Sequence, residues 1–216
     1  MALSCSVKTM TFTLDLDSAK LVFDSTWISQ GFVRVKLDCN QSGVAIVGGD
    51  TDYGAPVVPK VKARVVLPQR VRVTQFASVA ENAESVPGSF RLLPRQRLVP
   101  PPTEGVPKQW HFDSPIREIC NSVEPYPGLS TNGGQHSPSV NEFNTAWATV
   151  HPVQYIPKEG KLTFYRRFRL TLSVVPDTSA LDPHGAQLSE DVKSLIESGI
   201  RDLVINPEDV SRFAPW

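Results

Sequence analysis

Apolar and polar residues alternate with a period of two through much of the N-terminal half of this chain, and prolines interrupt most of the rest. In TFTLDLD, Phe12, Leu14 and Leu16 fall on one face and Asp15 and Asp17 on the other. In GFVRVKL, Val33, Val35 and Leu37 oppose Arg34 and Lys36, and in PKVKARVVL, Val61, Ala63 and Val65 oppose Lys60, Lys62 and Arg64. In QRVRVTQF, Val71 and Val73 oppose Arg70 and Arg72. Successive side chains of a strand point to opposite faces, so each segment predicts a strand buried on one side and wet on the other. The run VAIVGG (44–49) does not alternate and reads as a more buried strand, entered through the turn NQSG.

The chain has 216 residues, enough for one substantial core or two small ones, and 19 of them are proline. Proline lacks a backbone donor and fixes φ, so long helices and central strands must run between prolines. The result is a β-rich protein with many turns, not a helical bundle. Pro56 and Pro59 form an extended lead-in to the third alternating strand, and Pro68 separates it from the fourth. Six prolines lie between Val86 and Pro107, which reads as a long surface connection, stiffest at Pro100–Pro102. A PxxP ligand is the sharper alternative there. Residues 121–141 (NSVEPYPGLSTNGGQHSPSVN) read as a second irregular stretch, long enough to be functional or disordered.

In the C-terminal half a hairpin is predicted. Trp147–Tyr155 is one arm, IPKEGK the turn with Gly160 at a positive-φ position, and Leu162–Val175 the other arm. Leu162, Phe164, Phe168, Leu170 and Leu172 share one parity, interrupted by Arg166. Arg167 and Arg169 take the other parity, as on a solvated strand face. Arg166 needs a bulge, a carboxylate partner or a sheet end. One helix is expected in LSEDVKSLIESG, with Ser189 as cap, Leu188, Val192, Leu195 and Ile196 at helical spacing, and Gly199 as its end. Leu203–Ile205 then reads as a short extended piece.

Lys+Arg and Asp+Glu both number 22, so the formal net charge is zero. That argues against a dedicated nucleic-acid binder, which usually needs a basic excess. No stretch of roughly 18 apolar residues exists to span a membrane as a helix, and the N-terminus has no secretory-signal pattern. Cys5, Cys39 and Cys120 form no CxxC pair and read as small, partly buried thiols. His111, His136, His151 and His184 are scattered, so a metal site would have to be assembled from distant loops, and neither metal nor cofactor is expected. A dyad of Cys120 with His111 sits in no recognisable local signature, Asp50 and Asp52 read as a turn, and Asn40-Gln41-Ser42 is a sequon. No nucleophile elbow, phosphate loop or dinucleotide fingerprint occurs. Binding or regulation is therefore expected rather than catalysis.

Four segments in order resemble one family. They are YGAPVVPKVKARVVLP (53–68), PGSFRLLPRQRLVPPP, the hairpin VHPVQYIPKEGKLTFYRRFRLTL, and VINPEDV near the C-terminus. Together they are similar to the N-terminal propeptide of gingipain-type, caspase-like cysteine peptidases, over roughly residues 12–210. The resemblance implies an all-β antiparallel sandwich with long Pro-rich loops and one short C-terminal helix. It implies a pro-domain over 1–187, with 188–216 a helix and linker toward a peptidase domain. It further implies a bacterial, secreted or periplasmic protein whose partner is a cysteine peptidase catalytic domain, in cis or as a non-covalent complex. The propeptide would assist that domain's folding and block its active site until cleaved. In the family the inhibitory loop precedes the QY hairpin and offers a basic residue to the specificity pocket. Here that segment, HSPSVNEFNTAWATV, has no Lys or Arg, so Asn141 or Asn144 is the residue expected in the pocket if the loop inserts, with Phe143 and Trp147 beside it. A loop that only covers the sheet edge is the plainer expectation. The competing reading is a carbohydrate-binding or adhesion sandwich, marked by exposed aromatics among Trp27, Trp110, Trp147 and Trp216.

Overall fold

A computed structural model describes residues 7–17, 19–26, 30–48, 52–97, 112–128, 134–178 and 188–216. The strands are β1 (Lys8–Asp15), β2 (Lys20–Asp24), β3 (Arg34–Asp38), β4 (Val44–Val47), β5 (Lys60–Val66), β6 (Val71–Val86), β7 (Gly134–Val140), β8 (Phe143–Val150), β9 (Val153–Ile156) and β10 (Lys161–Pro176). The helices are α1 (Arg117–Cys120) and α2 (Glu190–Arg201), followed by two 3-10 turns, Pro207–Asp209 and Ser211–Phe213.

One sheet runs β1-β10-β6, with β9 also on β10, and a second runs β4-β5-β8-β7; β2 and β3 form a separate ribbon. All of these strand pairs are antiparallel. The two larger sheets face each other across one core. Phe12 and Leu14 of β1 and the Leu162–Leu172 parity of β10 meet Val61, Ala63 and Val65 of β5 and Ala146, Ala148 and Val150 of β8. The fold is thus an all-β antiparallel sandwich, and the period-two segments supply its inner faces as expected. The β2–β3 ribbon adds Val35 and Leu37 to the same core.

The arginine run of β10 is braced across the strands. Arg169 meets Glu81 at 2.7 Å, and Arg167 pairs with Asp15, its neighbour in register on β1. Arg166, just past the end of the β1 pairing, has its carboxylate partner in Glu84 at 2.8 Å and also donates to the Ala19 carbonyl at 3.1 Å. Exposed pairs of this kind contribute a few tenths of a kcal/mol each, so they set register more than stability.

Several elements differ from the sequence reading. The expected Trp147–Tyr155 arm is two strands in two sheets: β8 pairs β5 and β7, the chain breaks at His151–Pro152, and only β9 pairs β10. Proline cannot donate to a ladder, so the crossing falls there. β4 is an edge strand with partly exposed side chains, not a more buried one. Residues 90–95 are no surface connection. Leu92 and Leu93 are buried, and the segment is bonded on both sides: Val33 N–H donates to the Arg91 carbonyl (2.9 Å) and Val57 N–H to the Leu93 carbonyl (3.0 Å). Pro100–Pro102 lie outside the described residues. The irregular stretch 121–141 ends in a strand, β7, whose register shifts between Ser137 and Val140, so Pro138 sits at a bulge on an edge strand, where proline is tolerated.

At the C-terminus, Ser189 caps α2 as expected, its Oγ accepting from the Val192 N–H at 3.5 Å. Gly199 does not end the helix, which continues to Arg201 and buries Ile200. The segment that follows is not a trailing extension. Val66, Phe143, Ile200, Val204, Val210 and Phe213 form a second buried cluster over one end of the β5–β8 sheet. Asn206 joins it to the sheet edge: Val66 N–H donates to Asn206 Oδ1 at 2.9 Å, and Asn206 Nδ2 donates to the Val66 carbonyl at 3.0 Å. One amide side chain thus stands in for a ladder residue beyond the β4 pairing, which stops at Ala63.

Candidate functional site

The segment expected to act as a loop is a tight hairpin, β7–Asn141–Glu142–β8. Val140 and Phe143 are paired in register, and the two residues between them have φ of 48° and 67°. Two consecutive positive-φ residues form the turn whose twist matches a hairpin. Asn accepts that conformation readily, whereas Glu at the second position stands where glycine is usual. Asn141 and Glu142 are both exposed at the tip. Glu142→Gly is expected to stabilise the domain by about 1 kcal/mol, raising Tm by roughly 2–4 °C. A thermal melt of the variant beside wild type checks this; an unchanged or lower Tm means that contacts of the Glu142 side chain outweigh the backbone term.

Along β8 the parity divides the remaining candidates. Ala146, Ala148 and Val150 enter the sandwich core, and Asn144, on their side at the strand's start, is also buried. Its Nδ2 donates to the Pro68 and Val71 carbonyls, both at 2.8 Å, while its own carbonyl accepts from Leu67 N–H at 2.8 Å. Asn144 therefore clamps the β5–β6 turn and is spent on the fold. Phe143, Thr145, Trp147 and Thr149 point to the outer face. Phe143 is fully buried there under the C-terminal cap, with the Trp216 ring edge-on at 5.5 Å. Trp147 is partly buried, opposite Arg64 of β5, whose guanidinium carbon lies 4.2 Å from the ring centre. Of the four expected residues, only Asn141 is exposed at the tip. Two neighbours of these residues were not foreseen from the sequence: Glu142 beside Asn141 at the tip, and Arg64, whose pairing with Trp147 depends on strand register.

The other candidates show no assembled chemistry. Cys39 and Cys120 are free thiols, and burial pushes the pKa of both up, with Asp38 adding to the effect on Cys39 and Arg91 opposing it on Cys120. Neither is held as the thiolate a nucleophile requires. Cys120 lines a pocket of about 320 Å³ with Phe32, Phe90 and Tyr155. Among the described residues no group of His, Cys, Asp and Glu is placed to hold a metal ion. Asn40 is exposed beside the β3–β4 turn. Cys5, Trp27, Asp50, Trp110, His111 and His184 lie outside the described residues, as does the side chain of His136. Both described tryptophans are half-buried, Trp147 with Arg64 against its ring and Trp216 beside the Phe143 ring. No helix among the described residues is long and apolar enough to cross a membrane.

The architecture is a two-sheet antiparallel sandwich capped by a C-terminal helix and two 3-10 turns. The same fold is found in a solved complex of Porphyromonas gingivalis RgpB pro- and mature domains, at 14% identity and a TM-score of 0.54, covering 95% of this chain and 95% of the matched one. A looser likeness is to a structure on the zymogenic latency of gingipain K from Porphyromonas gingivalis, at 20% identity and a TM-score of 0.46, covering 80% of this chain and 94% of that one. No family model matches the sequence, and no curated protein matches it.

Proposed function

We propose that this domain is the propeptide of a gingipain-type cysteine peptidase, which binds the peptidase domain, assists its folding and holds it inactive until cleavage. The observation that carries the reading is the end-to-end likeness of fold, 95% of both chains, to a chain from a complex of pro- and mature domains. The four sequence segments support it independently. In this reading the protein is bacterial and secreted or periplasmic, and residues 188–216 serve both as the cap of the sandwich and as the lead toward the peptidase domain.

The inhibitory element is the β7–β8 hairpin, and its tip residue Asn141 enters the peptidase's specificity pocket. Rigid presentation favours this. The tip is held by the β8–β5 ladder behind it and by Phe143 in the second cluster, so little ordering cost falls on binding. Asn144 cannot serve without abandoning its two carbonyl partners and exposing the β5–β6 turn. The test is inhibition of the cognate peptidase domain by the purified domain. Wild type is expected to inhibit. Asn141→Ala is expected to weaken inhibition roughly tenfold or more, the loss expected of a central anchor residue, while alanine at this positive φ lowers Tm by only roughly 2–4 °C. Wild type that neither binds nor inhibits defeats the propeptide reading, and full inhibition by Asn141→Ala removes the tip from it.

A further inference from the structure

β1 is an edge strand. It pairs with β10 along its whole length and with no strand on its other side among the described residues. Opposed residues of an antiparallel pair alternate between bonded and non-bonded rungs. The Leu16 N–H donates to the Arg166 carbonyl at 2.6 Å, one rung beyond the Asp15–Arg167 pair, and this fixes which rungs are bonded. Met10, Phe12 and Leu14 therefore aim their main-chain groups at β10. Thr9, Thr11 and Thr13 aim theirs away from it, and those groups have no main-chain partner among the described residues. All three threonines are exposed, and the register runs without a shift from Lys8 to Asp15. From Thr9 to Leu14 there is neither a proline nor a charge to block the open edge.

A groove of about 480 Å³ lies beside this strand, with Met10, Thr11, Phe12 and Thr13 on one side and Ile205 and Phe213 of the C-terminal cap on the other. Residues of both parities line it, so it follows the edge of β1 and not one of its faces, and β10 fills the opposite edge. Its depth is apolar: Phe12 and Phe213 are buried, and Met10 and Ile205 half-buried. Its rim is exposed and carries both signs of charge, Lys8 and Arg212 against Glu208. The groove also adjoins the hairpin. Phe213 packs in the same cluster as Phe143, the residue that follows the tip, and Met10 packs against that cluster.

We propose that this groove receives an extended segment of the protein partner, which joins the sheet as a further strand beside β1. The segment exchanges main-chain hydrogen bonds with Thr11 and Thr13 and turns every second side chain toward Met10, Phe12, Ile205 and Phe213. Open ladder groups call for an extended backbone, and an apolar depth under a charged rim of mixed sign calls for alternating apolar and polar side chains. The cap bounds the groove on its far side, so it takes one strand and not a second sheet. Continuity with the base of the hairpin lets one partner hold both. The identification of that partner as the peptidase domain rests on the propeptide reading; the open edge and its groove do not.

The experiment is amide hydrogen exchange, read residue by residue by NMR, in the free domain and with the cognate peptidase domain. A synthetic peptide alternating valine and threonine, with a lysine at each end, is a second probe, used alone. In the free domain the Met10, Phe12 and Leu14 amides are expected to exchange slowly and those of Thr11 and Thr13 fast. Binding of the peptidase domain is expected to slow Thr11 and Thr13 at least tenfold. Thr11→Pro removes the outward N–H and spares the β10 ladder, a position where an edge strand tolerates proline. It is expected to weaken binding about tenfold with Met10, Phe12 and Leu14 still protected, whereas Thr11→Ala, which keeps the main chain, stays within about twofold of wild type. If Thr11→Pro does not fold, the wild-type exchange pattern alone decides. A bound peptidase domain that leaves Thr11 and Thr13 fast overturns the proposal, as does an equal loss of affinity in Thr11→Ala. Slow exchange at both threonines in the free domain overturns it too, by the chain's own cover if independent of concentration and by a second copy if it grows with concentration. If the peptidase domain does not bind but the peptide slows Thr11 and Thr13, the groove stands and the propeptide reading falls. If neither probe slows them, the groove is rejected.

Discussion

Gly43→Ala is expected to detach the C-terminal cap from the sandwich. Gly43 has φ of +71°, where a Cβ is disfavoured by about 1 kcal/mol. The larger effect is contact. A Cβ there would stand 2.3 Å from the Val204 carbonyl carbon, 2.5 Å from the Ile205 nitrogen and 2.7 Å from Val204 Cα. All three are backbone atoms, so no change of rotamer relieves the overlap. The Gly43 carbonyl accepts from Arg64 N–H at 2.8 Å, and Ile205 N–H donates to the Arg64 carbonyl at 2.9 Å. Gly43 and Ile205 therefore engage the same residue of β5, and separating them breaks one bond or the other. Each buried main-chain group left unpaired costs about 1–3 kcal/mol. Adding the strain gives a loss of about 3–5 kcal/mol, a large share of the 5–15 kcal/mol typical of a domain. Chemical denaturation measures it, and limited proteolysis near 202–206 should show the cap released before the sandwich unfolds. An alanine variant within about 1 kcal/mol of wild type, still protected there, would mean that the cap is not held against β5 in this way.

The period-two strands were legible because the sandwich buries one face of each and leaves the other wet. Legibility stops where burial becomes two-sided. Residues 143–146 of β8 are buried on both faces, with the C-terminal cap covering Phe143 from outside, and a strand covered twice does not alternate. The 90–95 strap pairs through single bridges, to Val33 on one side and Pro56 on the other, so it carries no period at all. β7 was hidden by Pro138, because a bulge on an edge strand admits the residue that otherwise argues against a strand. For the candidate site, the order of segments pointed to a stretch that forms a hairpin, but not to the work of each side chain in it. The acceptors of Asn144 belong to the β5–β6 turn, far off in sequence, so nothing local distinguishes it from Asn141.

Phe143→Ala is expected to cost about 3–5 kcal/mol and to separate the hairpin's structural residues from the recognition residue proposed for it, Asn141. The Phe143 side chain is fully buried, edge-on to Trp216 at 5.5 Å, and packed with Val66, Ile200, Val204, Val210 and Phe213. Truncation removes the ring from water-free surroundings and leaves a cavity between the sheet and the cap, which the paired backbone of β8 cannot collapse to fill. Phe143→Leu keeps much of the volume and is expected to lose roughly half as much. Because Phe143 follows the tip directly, both variants also affect presentation of Asn141, but only through folding. Inhibition by Phe143→Ala should therefore fall with the fraction unfolded and recover under conditions that restore the fold, such as a stabilising salt. Asn141→Ala should show the opposite pattern, with potency lost and Tm lowered by only the roughly 2–4 °C that alanine at this positive φ costs. Denaturation curves and inhibition constants for the three variants, measured at one temperature, decide it. A Phe143→Ala protein that is as stable as wild type yet a poor inhibitor would mean that this ring leaves the cluster to meet the partner, and that the hairpin changes shape on binding instead of presenting a rigid tip.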